Sequence, residues 1–469
     1  MSNNSIISLR SSKEKTEYYL ISGTIIFSFF YFVLRSTIID NFIWIMIFPF
    51  FCIVYKLMDN NRVRSINYNH LDKLMMIYLS YGVIITFIGL IISPNKVNIV
   101  EVFVHYYYIS IIYFIVRKYT SVSMFNIVKV IKIIWVLAII LIIDIIIENY
   151  IYHNHSSAMI PWVKYELENA NFSSLSAFND SILKNIGSLL TSHKTASMMM
   201  ASFFCFILPF PTRLRFKSDY SFINIKSLIT NRTINVVILA SILYCLFGLI
   251  VPNKTSLFSI FIVILVFLWI NKSFKQILIT LIFLLFTIMN FYDQIFQMIV
   301  DNFFNTYTTF YTYRITGVPV TIFNYIFDFS PLIEGYKGHN IFDYLIGKYV
   351  VSGYSGNPFP ITTTELRMLS TPLFFGIFWT IIILMLAYYI LKICFRLIKS
   401  KKQSYFNYLG LSFFGFFMIY FLDIHYPVFF RHGPMELFFV MLGTLSSCYM
   451  FEKQPYQELN GKDYYGFNI

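Results

Sequence analysis

The stretch "TYRITGVPVTIFNYIFDFSPLIEGYKGHN", Thr312 to Asn340, begins with an arginine and ends in glycines and a histidine, inside a chain that is otherwise mostly apolar. The planar guanidinium of Arg314 offers parallel N–H groups that can grip a diphosphate bidentately. After it, Ile315, Val318, Val320, Ile322, Phe323, Ile326 and Phe327 give roughly a helical stripe, with Gly317 and Pro319 interrupting the start. That pattern predicts an amphipathic helix lying at a membrane interface, beside the glycine turn of "EGYKGHN".

Lys254 stands in "VPNKTSLFS". Pro252 stops one helix and Asn253 or Thr255 can cap the next, so the lysine meets free backbone N–H groups and the positive end of a helix dipole. Such a position attracts phosphate, with a lysine snorkelling to lipid headgroups as the competing reading. His193 and Lys194 open another apolar run in "LLTSHKTASMMM", where a basic pair at a membrane boundary is expected from topology alone. Arg367 and Arg431 are further cations for an anionic substrate. Glu365 completes a capping box with Thr362 in "TTTE", and His339, an imidazole that titrates near neutral pH when unperturbed, stands in the glycine turn. Glu101 and His105, four residues apart, make another acid and base pair or a helix-surface pair.

The elements that must position these groups follow from composition. Of 469 residues, 57% are hydrophobic and 13% charged, and the mean hydropathy is +0.66. Those values exclude an ordinary soluble domain and indicate an all-α polytopic membrane protein. The 20% aromatic content reads as residue usage of an AT-rich genome before it reads as a sugar-stacking surface. Cys52, Cys205, Cys245, Cys394 and Cys448 fall in apolar runs without CxxC or metal-like spacing, so they are expected to be small buried hydrophobes with neither disulfides nor a metal site.

Apolar segments near the length needed to cross a bilayer number about twelve. They are Tyr18–Leu34, Asn41–Tyr55, Leu71–Ile92, Ile99–Val116, Val128–Ile147, Ser192–Phe210, Asn235–Val251, Thr255–Ile270, Ile277–Met289, Thr371–Leu391, Tyr408–Ile424 and Met435–Met450. The first lacks a small-residue cleavage site, so no cleaved signal peptide is expected. Placing both termini in the cytoplasm puts roughly two thirds of the 36 lysines and arginines on the inner side. Topology and contact with anionic lipids then account for the net charge of +13, and nucleic acid need not be invoked. The expected organisation is 1–289 with the first nine spans and an external loop at about 148–191, 290–370 as a large external subdomain, 371–450 with the last three spans, and 451–469 as a cytoplasmic tail.

With these features in hand, the chain resembles the O-antigen polymerase and O-antigen ligase superfamily of surface-polysaccharide assembly. The resemblance is carried by the twelve expected spans, by "PNKTSLFSIFIVIL", by the late external loop with an arginine, an apolar helix and "PLIEGYKG", and by "TTTELRMLSTPLFFGIFW" with a glycine opening a new span. It covers about Asn253 to Trp379, and the first half matches in hydropathy only. It implies a GT-C-like fold in the bacterial cytoplasmic membrane, a site facing the periplasm, and no cofactor. The implied substrate is an undecaprenyl-diphosphate-linked oligosaccharide, with membrane lipids and a chain-length regulator as further partners. Arg314 and Lys254 would stabilise the departing diphosphate, with Arg367, Arg431 and Lys194 in support and Glu365 or His339 as base. The ligase branch commonly has a His-Asn pair shortly before the span-opening glycine; here that position is Thr363, while His339 and Asn340 lie much earlier. The resemblance therefore leans toward a polymerase, with a ligase as the alternative. A flippase or other transporter of lipid-linked units is the reading from a different class.

Overall fold

The computed structural model describes residues 3–29, 49–53, 68–92, 103–154, 193–212, 232–244, 254–270, 375–401, 404–422 and 433–454, together with 279, 345 and 347. The elements these residues form are helices. In chain order the helices used below are α1 (Asn3–Phe29), α2 (His70–Ile92), α3 (Ile109–Thr120), α4 (Met124–Asn154) and α5 (His193–Ile207), then α6 (Arg232–Tyr244), α7 (Lys254–Ile270), α8 (Ile377–Ile398), α9 (Ser404–Leu422) and α10 (Pro434–Lys453). A π-helical turn, Phe103–Tyr108, leads into α3. Among the described residues, five helices are long and apolar enough to cross a membrane: α2, α4, α8, α9 and α10. Shorter apolar helices occupy Thr195–Ile207, Thr233–Leu243 and Ser259–Ile270.

Internal contacts divide the chain into two compact units. The first comprises Met1–Gly82, Val102–Val263 and Leu384–Ile469; the second comprises Val83–Glu101 and Ile264–Ile383. In the first unit α10 is the most enclosed span, with 94% of its apolar window buried, against 56% for α4. Its close neighbour is α3. A methyl group on Gly443 of α10 would stand 2.9 Å from the Tyr113 carbonyl oxygen and 3.2 Å from the Arg117 nitrogen. Gly443 and Ser447 thus form a small-xxx-small pair that lets two backbones approach where no larger side chain fits. α9 packs on α5 through rings: Phe206 lies 5.8 Å from Phe413 and 6.2 Å from Phe416, centroid to centroid.

The corner between α8 and α9 is tied by one amide. Asn407 Nδ2 lies 2.6 Å from the Ile398 carbonyl, 3.0 Å from that of Ser400 and 3.3 Å from that of Leu397. These are carbonyls that the end of α8 cannot satisfy within its own helix. At the other end of α8, in the second unit, Gly376 has φ 93°, a left-handed backbone that glycine tolerates without strain. Its carbonyl accepts from the Thr380 N–H at 3.1 Å and the Thr380 hydroxyl at 3.0 Å. The glycine expected to open a span does stand immediately before one.

The exposed faces are apolar. Val136, Ile139, Ile143 and Ile146 line one face of α4, and Ile381, Leu384, Met385 and Tyr388 line one of α8. Apolar stripes of this length on helices that also bury an opposite face suit acyl chains.

Most expected spans coincide with helices. Leu71–Ile92 becomes His70–Ile92, and Thr255–Ile270 becomes Lys254–Ile270. Several boundaries move, among them Val128–Ile147, which becomes Met124–Asn154, and Ile99–Val116, which becomes the π-helical turn and Ile109–Thr120. The first helix starts at Asn3 rather than Tyr18, because a run of polar helix formers continues the apolar segment toward the N-terminus. α8 continues past Leu391 to Ile398, since Lys392 and Arg396 occupy its exposed side while Ile393, Cys394 and Leu397 remain buried. The spans expected at Asn41–Tyr55 and Ile277–Met289, and most of the two long loops, lie outside the described residues. Cys52, Cys205, Cys394 and Cys448 are buried free thiols, and Cys245 lies outside the described residues.

Candidate functional site

A buried polar cluster joins three helices that are far apart in sequence. It begins with local capping at α2. The Asn69 N–H donates to Asp72 Oδ2 at 2.9 Å, and the Asp72 N–H donates to Asn69 Oδ1 at 3.1 Å. This is the reciprocal arrangement of a capping box, with the carboxylate at the positive end of the helix. Asp72 then receives α3: Tyr113 Oη donates to Oδ1 at 2.7 Å, and Arg117 Nε lies 3.2 Å from the same oxygen. Arg117 sits in the last turn of α3, where a cation meets the negative end of the dipole.

The third helix is α10. Ser446 Oγ donates to Asp72 Oδ1 at 3.2 Å and receives Asn69 Nδ2 at 2.7 Å. Arg117 Nη1 donates to Ser447 Oγ at 3.1 Å, and that hydroxyl lies 2.6 Å from Thr120 Oγ1. The side chains of Arg117 and Asp72 are only 3% and 1% exposed. Asn69 N–H, Tyr113 Oη, Arg117 Nε and Ser446 Oγ, four donors, therefore surround one carboxylate shielded from water. A buried pair persists only with such hydrogen bonding around it. The cluster is saturated, and its evident action is to clamp α2 and α3 to α10.

Arg117 ends an apolar run, the position of an ordinary boundary cation, yet its side chain is buried. The signal that points to the cluster is Asp72, an acid within the apolar run Leu71–Ile92. Ionisable groups in membrane segments are rare and call for a partner.

A second feature lies at two helix N-termini. α5 begins His193, Lys194, Thr195 and α7 begins Lys254, Thr255, Ser256. In each, the third residue is a buried hydroxyl: Thr195 is 1% exposed and Ser256 0%. Neither Thr195 Oγ1 nor Ser256 Oγ has a hydrogen-bond partner among the described residues. Cα–Cβ bonds tilt toward a helix N-terminus, so these hydroxyls lean toward the unsatisfied N–H groups of the first turn. Backbone N–H and hydroxyl are both donors, which matches an oxyanion that has only acceptors.

The expected site residues divide accordingly. Lys194 is the second residue of α5 and Lys254 the first of α7. Arg314, His339, Glu365, Arg367 and Arg431 lie outside the described residues, as does Glu101, while His105 falls in the π-helical turn. Among the described residues no group of His, Cys, Asp or Glu is arranged to hold a metal ion. No protein-family model matches the chain, and comparisons with curated proteins and with solved structures give no match.

Proposed function

We propose that the protein is a surface-polysaccharide polymerase of the O-antigen type. In this reading it has twelve spans, a GT-C-like architecture and both termini in the cytoplasm, and it transfers a growing glycan from undecaprenyl diphosphate to a hydroxyl of a lipid-linked repeat unit. The chemistry takes place on the periplasmic face of the bacterial inner membrane. The observation that carries the reading is the pair of helix starts with a lysine in the first two positions, each with a buried hydroxyl that has no hydrogen-bond partner among the described residues. Transfer from a lipid diphosphate needs donors where negative charge accumulates on the leaving group, and it needs no nucleotide sugar or redox group. Lys254 at the start of α7 supplies one such position, and Lys194 at the start of α5 another. Arg314 completes the set by gripping the departing diphosphate, with Arg367 and Arg431 as reserve cations. Glu365 or His339 takes the acceptor proton.

Replacement of Arg314 tests the assignment. Arg314→Ala loses a charge-assisted contact that strengthens as the diphosphate departs, about 3 kcal/mol or on the order of a hundredfold in rate. Glycan gels at matched membrane protein should then show ladders collapsing toward a single repeat, with partial recovery in Arg314→Lys. Near-normal ladders from Arg314→Ala would remove the diphosphate role.

One observation favours a second reading. Asp72 and Arg117 are a buried ion pair within apolar helices, a feature that transporters use for coupling. A flippase for lipid-linked oligosaccharides would need that pair to titrate or separate, whereas a polymerase needs it only as a clamp.

A further inference from the structure

The exposed face of α8 changes character along its length. Leu384, Met385 and Tyr388 are 62%, 43% and 59% exposed. From one turn further on, the same face presents Lys392 and Arg396, and Lys399 follows the last helical residue with its N–H donating to the Phe395 carbonyl at 3.1 Å; all three are exposed. Relative to Tyr388, Lys392 and Arg396 are four and eight residues on, which places them within about 80° of it around a helix of 3.6 residues per turn. Leu384 and Lys392 are about 12 Å apart along the axis at 1.5 Å per residue.

The cations are supported by neighbouring groups. Lys392 Nζ lies 5.7 Å from the Tyr388 ring and 5.8 Å from the Tyr389 ring. Arg396 donates Nε to Glu452 Oε2 at 2.8 Å, yet 48% of its side chain remains exposed. Its guanidinium carbon lies 5.3 Å from the Tyr449 ring, and Lys453 Nζ lies 4.5 Å from the same ring. Of the four cations here one, Arg396, pairs with a carboxylate, Glu452, so among the described residues positive charge is in excess at the end of an apolar stripe, with tyrosines at the boundary.

We propose that this face of α8, with the end of α10, binds one anionic phospholipid. The acyl chains lie along Leu384, Met385 and Tyr388, and the phosphate is held by Lys392, Arg396 and Lys399, with Lys453 beside them. The argument for that occupant is complementarity along a single line. A lipid is an apolar chain ending in an anion, and the stripe is an apolar surface ending in cations. Aromatic rings mark the interfacial depth where headgroups lie, and basic side chains there favour anionic over zwitterionic lipid. The site is independent of the polymerase reading and of which compartment this end faces.

Native mass spectrometry of the full-length protein, titrated with phosphatidylglycerol and phosphatidylcholine in detergent, tests it. The wild type should retain phosphatidylglycerol in preference, and a variant carrying Lys392→Gln, Arg396→Gln and Lys399→Gln should lose that preference by about fivefold or more, as expected for losing cations at a lipid surface. A control with Lys73→Gln, Lys118→Gln and Lys132→Gln removes the same charge and should keep it. If the triple variant does not purify as a folded protein, Lys399→Glu alone is read in the same way. Undiminished preference in the α8 variants overturns the site. Equal loss in the control also overturns it, because the attraction would then belong to the whole charge of the molecule.

Discussion

Asp72 and Arg117 illustrate how one substitution separates a clamp from a moving part. Asp72→Asn leaves the Arg117 guanidinium buried without its counter-charge. Removing one partner of a buried pair costs about 3–5 kcal/mol, whereas replacing both by neutral groups of similar volume is often close to neutral. Thermal unfolding in detergent should therefore show a large loss for Asp72→Asn and recovery toward wild type for Asp72→Asn with Arg117→Met. If the cluster only clamps, glycan length at matched protein levels stays normal in the double variant. Loss of function in a double variant of restored stability would favour the transport reading. At this scale the sequence was partly legible. Lys254 was placed at a helix start from Pro252 and its capping neighbours, and α7 begins there. Arg117 was not recognised, because a basic residue at the end of an apolar run has the same local pattern whether it faces water or a carboxylate 45 positions away. Only three-dimensional packing distinguishes the two.

Helices in this chain are held by shape as much as by apolar contact, since lipid offers each helix an equally apolar alternative. The crossing of α10 over α3 depends on Gly443, where an added methyl would meet the Tyr113 carbonyl oxygen at 2.9 Å. Gly443→Ala must move one backbone, an overpacking cost of about 1–3 kcal/mol, and Gly443→Leu should cost more. Leu384→Ala, on the exposed face of α8, should change stability little. Thermal midpoints of the three variants in one detergent check the order, and equal midpoints for Gly443→Leu and wild type would refute the close crossing. Hydropathy found these helices because a span must be apolar over most of its length. It set the end of α8 short, since Lys392 and Arg396 end an apolar window without ending a helix. Asn407, which receives the last carbonyls of α8, stands nine residues beyond Ile398 and carries no local signal of that role.

For the molecule as a whole, the helical, membrane-grade character of the described residues was legible from composition, while the clamp of α2 and α3 to α10 was not, because Asp72 and Ser446 are 374 positions apart. The proposed activity makes a demand that neither transport nor scaffolding makes: glycosidic bonds must form at the expense of a lipid diphosphate. Purified protein in sealed vesicles, supplied with undecaprenyl-diphosphate-linked repeat units from the native host, tests that demand most directly. The products to measure are lipid-linked chains of two or more repeats, free undecaprenyl diphosphate, and the leaflet in which unextended units reside. The account predicts extended chains in step with released undecaprenyl diphosphate. Units that cross the bilayer without lengthening would contradict it and identify a flippase instead.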